Sequence, residues 1–276
     1  MKRIAIIAAL IGMIGSTLPT VASAKDFLLA STTSTENSGL FAYLLPIFEA
    51  QSGIKTRVIA VGTGQALRLA RNGDADALLV HDPIAEKKFV AAGYGLDRRQ
   101  IMYNDFVLIG PKEDPAGIAD TKDILSALRI IAKTRTIFVS RGDDSGTHRA
   151  ERRHWAAAGI DADAGSGKWY REAGAGMGAT LNIASGIDAH IISDRATWLS
   201  FRNKGSLRVL VEGDPRLFNQ YGFIQVNPAH HPHVNAEAAR TFSAWLTSPA
   251  GQKAIAAFKV RGKQLFFPNF GLSKGS

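Results

Sequence analysis

The stretch Ser140-Arg141-Gly142-Asp143-Asp144-Ser145-Gly146-Thr147-His148 constrains this chain most. It follows Thr136-Ile137-Phe138-Val139, an apolar β-branched run that reads as a buried strand. It leads into residues 148–158, rich in helix formers and stopped by Gly159. A polar loop therefore sits where a strand passes into a helix. In an α/β sheet, ligands bind at the carboxyl ends of strands. The free N–H groups of a helix start, at the positive end of its dipole, favour an anion. Arg141 adds a permanent charge and a planar fork of donors, and Ser145 and Thr147 add hydroxyls. This junction predicts an α/β chain that holds an oxyanion.

The junction recurs. Residues 27–30 form a short strand that runs into Ser31-Thr32-Thr33-Ser34-Thr35, more hydroxyls than one helix cap needs. Leu40, Phe41, Leu44, Leu45 and Phe48 then repeat at helical spacing, with Pro46 predicting a kink or a late start. Residues 56–61 read as a strand, followed by Gly62-Thr63-Gly64-Gln65 and a helix over 66–71. A fourth loop, residues 174–182, is rich in glycine and opens another helix. Further strands are expected over 77–81, 101–109, 190–192, 207–211 and 221–226. Helices are expected over 83–92, 121–133 and 195–201, with two more at the end, the first capped by Asn235 and the second begun by Ser248-Pro249. Strands and helices alternate throughout, so the class is α/β with mainly parallel sheets flanked by helices. Two junctions precede residue 70 and two follow residue 139, which suits two lobes facing a cleft.

Composition narrows the setting. With 276 residues and 46% apolar content the chain can build two lobes. Lys2-Arg3, an apolar run over 4–14 and Ala22-Ser23-Ala24 read as a signal peptide over residues 1–24, the apolar run being too short to span a bilayer. Export to the periplasm is the expectation. Without cysteine there is no disulfide, no thiolate metal site and no residue to carry a lipid anchor. The formal charge of +9 suits an anionic ligand. The basic residues are scattered without aromatic interleaving, which argues against nucleic acid.

Other chemistries fit the residues less well. Ser145 within Gly142-Asp143-Asp144-Ser145-Gly146 suggests a hydrolase nucleophile, but a triad needs a histidine base, and His81, His148 and His190 lie in no telling context. Gly174-Ala175-Gly176-Met177-Gly178-Ala179 fits a dinucleotide fingerprint only formally, since its preceding strand is short and polar. Gly165-Ser166-Gly167-Lys168 lacks the first glycine and the final hydroxyl of a phosphate loop. His230, His231 and His233 cluster without further ligands at metal spacing. Trp155, Trp198 and Trp245 fall on apolar helix faces and read as core.

Several runs carry a resemblance. S-T-T-S-T-E-N-S-G-L from Ser31, V-G-T-G-Q-A-L from Val61, D-A-L-L-V-H from Asp76 and M-Y-N-D-F-V-L-I-G-P from Met102 are four. S-R-G-D-D-S-G-T-H from Ser140, G-A-G-M-G-A-T-L-N from Gly174 and S-D-R-A-T from Ser193 are three more. W-L-T-S-P-A-G-Q from Trp245 is shared more widely among solute-binding proteins. Together the chain resembles the tungstate-binding components of ABC importers, the TupA family. The resemblance implies a type II periplasmic binding protein, with residues 25–105 and 222–276 in one lobe and 106–221 in the other. It implies Thr32, Ser34 and Thr63 as donors from the first lobe and Arg141, Ser145 and Thr147 from the second, with Thr33, Gly178 and Thr180 as additional contacts. No cofactor is expected, the ligand being tungstate or molybdate. The expected partners are an inner-membrane permease and its ATPase, with the protein itself a monomer. His190-Ile191-Ile192 departs from the family pattern outside these motifs. Tungstate and molybdate are deprotonated at neutral pH, so a site made only of donors matches them, whereas phosphate keeps a proton and gains from an acceptor. Phosphate or sulfate binding on the same fold, a hydrolase using Ser145, and a sensory protein that signals to a receptor remain as alternatives. Asp143 and Asp144 are expected to brace the loop or Arg141 rather than meet the ligand.

Overall fold

Two long strands carry the chain from one lobe to the other, and the remaining elements are arranged around them. The computed structural model describes residues 26–119 and 121–271; the signal peptide expected over 1–24 lies outside these residues. In order, the first part comprises β1 (Phe27–Thr32), α1 (Thr33–Asn37), α2 (Leu40–Ser52), β2 (Thr56–Val61), α3 (Thr63–Asn72), β3 (Ala77–Val80) and α4 (Pro83–Ala91). Then β4 (Gly95–Pro111) crosses over, followed by α5 (Ile124–Thr134), β5 (Phe138–Ser140), α6 (Gly146–Ala157), β6 (Tyr170–Glu172), α7 (Met177–Gly186), β7 (Ile191–Asp194), α8 (Arg195–Ser200) and β8 (Leu207–Val211). The chain returns on β9 (Phe218–Val226) and closes with α9 (Ala236–Thr247), α10 (Pro249–Ala257) and the short strands β10 (Lys259–Val260), β11 (Lys263–Gln264) and β12 (Phe267–Pro268).

The alternation of strands and helices is as the sequence suggests, but the sheet is mixed rather than mainly parallel. β1 pairs in parallel with β2 and β3, and β5 with β6. β9 is antiparallel to both β3 and β4. The reason is topological: one strand carries the chain out and its neighbour brings it back, so the two must run in opposite directions. β4 pairs with β9 and β12 through Asp105, and with β7 and β8 from Phe106 onward. The expected strand at 101–109 is the middle of this 17-residue element.

Each lobe has its own apolar interior. Phe27, Phe48, Phe242 and Trp245 pack in the first, with ring centroids 5.3 Å apart for Phe27–Phe242 and 4.8 Å for Phe48–Phe242. Such pairs are worth roughly 0.5–1.5 kcal/mol beyond their buried area. In the second lobe Phe138, Trp155, Tyr170 and Ile192 form the matching centre. Trp155, Trp198 and Trp245 are all buried, as their helical spacing predicts. Pro46 does not break its helix: α2 is continuous through it, on an exposed face where water can serve the carbonyl left without a partner. The hydroxyl-rich stretch after β1, expected as a loop, is wound into α1, with Thr32 as its cap.

Candidate functional site

Four strand-to-helix junctions meet between the lobes, and the loop after β5 is the most tightly built. Gly142 adopts φ +60° and Asp144 φ +56°, two left-handed residues that fold the loop back on itself. A side chain at Gly142 would bring its Cβ within 2.7 Å of Glu172 Cβ, so glycine is needed there for space as well. Ser145 caps α6, its Oγ accepting the His148 N–H at 3.2 Å. Asp143 accepts from Arg141 Nη2 at 2.6 Å and from the Ser145 N–H at 3.2 Å. Asp144 accepts from Arg149 Nε at 2.7 Å and Nη2 at 2.8 Å, and this pairing holds its carboxyl below the usual range. Both aspartates therefore brace the loop, as expected.

The other lobe meets this loop closely. Arg141 Nη2 donates to Thr33 Oγ1 at 3.1 Å, and the Gly64 N–H donates to the Asp144 carbonyl at 3.3 Å. The start of α6 thus abuts the start of α3, two positive dipole ends pointing into one space. α3 and α7 are preceded by Gly62 and Gly176, which supply no side-chain cap to their first-turn N–H groups. Gly146 lies so near its neighbours that a Cβ would fall 2.8 Å from His81 Cε1 and 2.9 Å from Thr63 Oγ1.

Thr32, Ser34, Thr63, Arg141, Ser145 and Thr147 are each at most 1% exposed. Among the described residues, Arg141 Nε, Arg141 Nη1, Thr63 Oγ1 and Thr147 Oγ1 are buried polar atoms with no hydrogen-bond partner in the protein. Leaving such groups unpaired costs roughly 1–3 kcal/mol each, and more when charged. Native proteins keep few of them, so four from both lobes in one region mark a place for an acceptor. Thr32 Oγ1 lies 3.1 Å from Ser34 Oγ and 2.7 Å from Thr35 Oγ1. Thr180 differs from the rest, because its hydroxyl donates to the carbonyls of Ala175 and Gly176 at 3.1 and 3.0 Å. Gly178 sits in the first turn of α7 facing Asn37. Gly176 faces Thr33.

His81 is the residue the sequence reading passed over. It is 2% exposed, and burial pushes its pKa down to about 4, so the ring is neutral near pH 7. Its Nδ1 lies 3.0 Å from Asn219 Oδ1, while Asn219 Nδ2 donates to Asn104 Oδ1 at 2.7 Å. Nδ1 therefore carries the proton, and Nε2 accepts from the Ser34 hydroxyl 3.3 Å away. This chain ties the hydroxyl cluster to β4 and β9. The available signal was position alone: His81 is the residue directly after β3, at its carboxyl end.

Two other motifs have structural explanations. Ser145 Oγ serves as a helix cap, and no histidine ring nitrogen hydrogen-bonds to it among the described residues. His231 Nε2 donates to the Arg71 carbonyl at 2.8 Å and His233 Nε2 to that of Gly73 at 2.9 Å, finishing the end of α3.

Comparison with known proteins gives the same outline. A PBP superfamily domain is recognised over residues 18–250. The chain is 46% identical over 248 residues to the tungstate-binding protein TupA of Peptoclostridium acidaminophilum, covering 88% of this chain and 86% of that one. The solved structure of TupA from Desulfovibrio alaskensis G20 is 46% identical with a TM-score of 0.76, over 90% of this chain and all (100%) of that one. That of the tungstate ABC transporter from Geobacter sulfurreducens is 45% identical with a TM-score of 0.77, over 85% and 99%.

Proposed function

Because the chain belongs to the TupA family within the PBP superfamily, we propose that it captures tungstate, and molybdate next, between its lobes and delivers the anion to an ABC importer. The observation that carries this reading is the set of unpartnered buried donors, Arg141 Nε and Nη1, Thr63 Oγ1 and Thr147 Oγ1. A tetrahedral dianion with acceptors on every oxygen can receive them all. Arg141 supplies the charge-assisted bonds, Thr32, Ser34 and Ser145 add hydroxyls, and the starts of α3, α6 and α7 add oriented N–H groups. Thr33 helps to orient Arg141. Gly178 and Thr180 then act through the close packing of α7 rather than through side-chain donation.

Hydrogen phosphate would gain from a carboxylate acceptor; both oxygens of Asp143 are engaged, with Arg141 and the Ser145 N–H, whereas the buried Asp194 Oδ2, within electrostatic reach of Arg141, has no hydrogen-bond partner. Four unpartnered donors against that single acceptor favour a fully deprotonated anion. In this reading residues 25–105 and 222–276 close as one body against 106–221, bending on β4 and β9. The protein acts as a periplasmic monomer without a cofactor, and its partners are the permease and ATPase of the inner membrane.

Titration calorimetry of the chain from Lys25 against tungstate, molybdate, sulfate and phosphate tests the assignment. Tight one-to-one tungstate binding, with sulfate and phosphate silent, is the expected result. Heat from phosphate alone, or silence from all four, would overturn it.

A further inference from the structure

A cavity of about 280 Å3 lies on the other side of His81 and takes no part in the reading above. It is far larger than the roughly 15 Å3 that a single water needs. The crossover strands contribute Gln100, Phe106 and Asn219, α4 contributes Pro83 and Lys87, and α6 contributes Ala150, Arg153 and His154. Lys87 and Arg98 come from the first lobe and Arg153 and Arg216 from the second, and no acidic side chain lines the space.

Two of these cations, Lys87 and Arg153, are incompletely neutralised from behind. Lys87 has no ion pair among the described residues. Asp82 is shared between Arg153 at 3.4 Å and Arg149 at 3.5 Å. Arg98 is paired with the buried Glu86 at 2.7 Å. Asp214 and Asp123 do neutralise Arg216. His154 is 9% exposed, and its Nε2 is buried without a partner.

The walls are not uniformly polar. Pro83, Phe106, Ala150 and Phe218 provide apolar surface beside the cations. A compact inorganic oxyanion would leave most of the cavity and its apolar wall unfilled. A short carbon chain bearing several carboxylates can cover the apolar wall and reach cations of both lobes.

We propose that this cavity is a second anion site, for a small organic polycarboxylate, and that an occupant bridging both lobes tightens oxyanion binding. The coupling rests on the lobe closure proposed above, whereas the site itself does not.

The probe is tricarballylate, which has three carboxylates and no hydroxyl to chelate tungstate. It is titrated by calorimetry into the chain from Lys25, with and without saturating tungstate, at constant ionic strength. One-to-one binding at about 1 mM or tighter is expected. It should weaken at least about tenfold in the Lys87→Gln/Arg153→Gln double variant, whose changes lie at exposed positions outside the oxyanion site. Tricarballylate should tighten tungstate by the same factor as tungstate tightens tricarballylate. No binding, equal binding in the variant, or equal binding of sulfate and phosphate at this cavity overturns the site. Binding without reciprocal tightening overturns the coupling. Tricarballylate heat with tungstate silent leaves the second site standing and removes the function proposed above.

Discussion

Replacing Gly146 with alanine should weaken oxyanion capture without unfolding the chain. The new Cβ would lie 2.8 Å from His81 Cε1 and 2.9 Å from Thr63 Oγ1, where carbon contacts normally begin near about 3.5 Å. Neither neighbour can retreat easily. The His81 ring is tied to Asn219 and lies 4.9 Å from the Tyr221 ring, and Thr63 is fully buried. Overpacking of this kind costs roughly 1–3 kcal/mol, which corresponds to an affinity about 5- to 150-fold weaker. Both neighbours belong to the opposite lobe, so the penalty falls on the closed form alone. The backbone of Gly146 is not left-handed, and alanine is the better residue in a helix. The assay pairs tungstate calorimetry with urea unfolding of the ligand-free protein. Weaker binding with an unchanged or higher unfolding midpoint is the expected pattern. Unchanged affinity, or a midpoint that falls in step with it, would refute the reasoning. Gly64→Ala provides the contrast. Its Cβ meets the carboxylate end of Asp144, a half-exposed side chain that can swing aside, so the loss should be smaller.

Thr63→Val and Thr147→Val keep shape and remove a hydroxyl that has no partner in the protein. Each should weaken tungstate binding roughly 10- to 100-fold, as for loss of a hydrogen bond to a charged group, while ligand-free stability holds or rises; a drop in stability without an affinity change would count against direct contact. Arg141→Lys leaves one amine to serve Asp143 and the anion together, and calorimetry should register a loss of about 100-fold or more, with the far-ultraviolet circular dichroism unchanged. Glu151 lies in the second lobe, accepting from Tyr170 OH at 2.8 Å and Trp155 Nε1 at 3.2 Å, and burial pushes its carboxyl from 4.5 up to about 7. The folded state therefore binds this proton more tightly than the unfolded state, so its contribution is fully present below about pH 4.5 and is lost as pH rises to about 7. Glu151→Gln should escape that loss, gaining on the order of 3 kcal/mol over the wild type between pH 4.5 and 8 in urea unfolding; a difference independent of pH would show that the carboxyl is not held protonated.

The sequence carried the elements that depend on local patterns. Asn235 and Ser248 cap helices where the sequence suggested, and the buried run Ala77–Val80 is a strand. The antiparallel course of β9 beside β3 and β4 was not legible, because strand direction follows from where the chain crosses between lobes and not from periodicity. Nor was the full length of β4, whose first residues alternate with Asp97, Arg98 and Arg99 and look like a surface turn. At the site, Arg141 and the threonines stood out because their chemistry is unusual beside buried strands. His81 did not, since its partners Ser34 and Asn219 lie 47 and 138 residues away. Thr180 was expected as an additional contact. Only the backbone of its own helix start reveals that its proton is already engaged.

The pairing of Asp105 with Phe218 has a consequence for how the chain could be cut and rejoined. Opposite residues in an antiparallel pair are about 5 Å apart, so the intervening segment leaves and rejoins the β4–β9 ladder at nearly one point. Excising it and joining 105 to 218 through a two-residue turn would convert two crossover strands into an ordinary hairpin. The sheet order β12-β4-β9-β3-β1-β2 would remain intact. Seen this way the second lobe is a cassette, and Arg141, Ser145 and Thr147 travel together on it while Thr32, Ser34 and Thr63 stay behind.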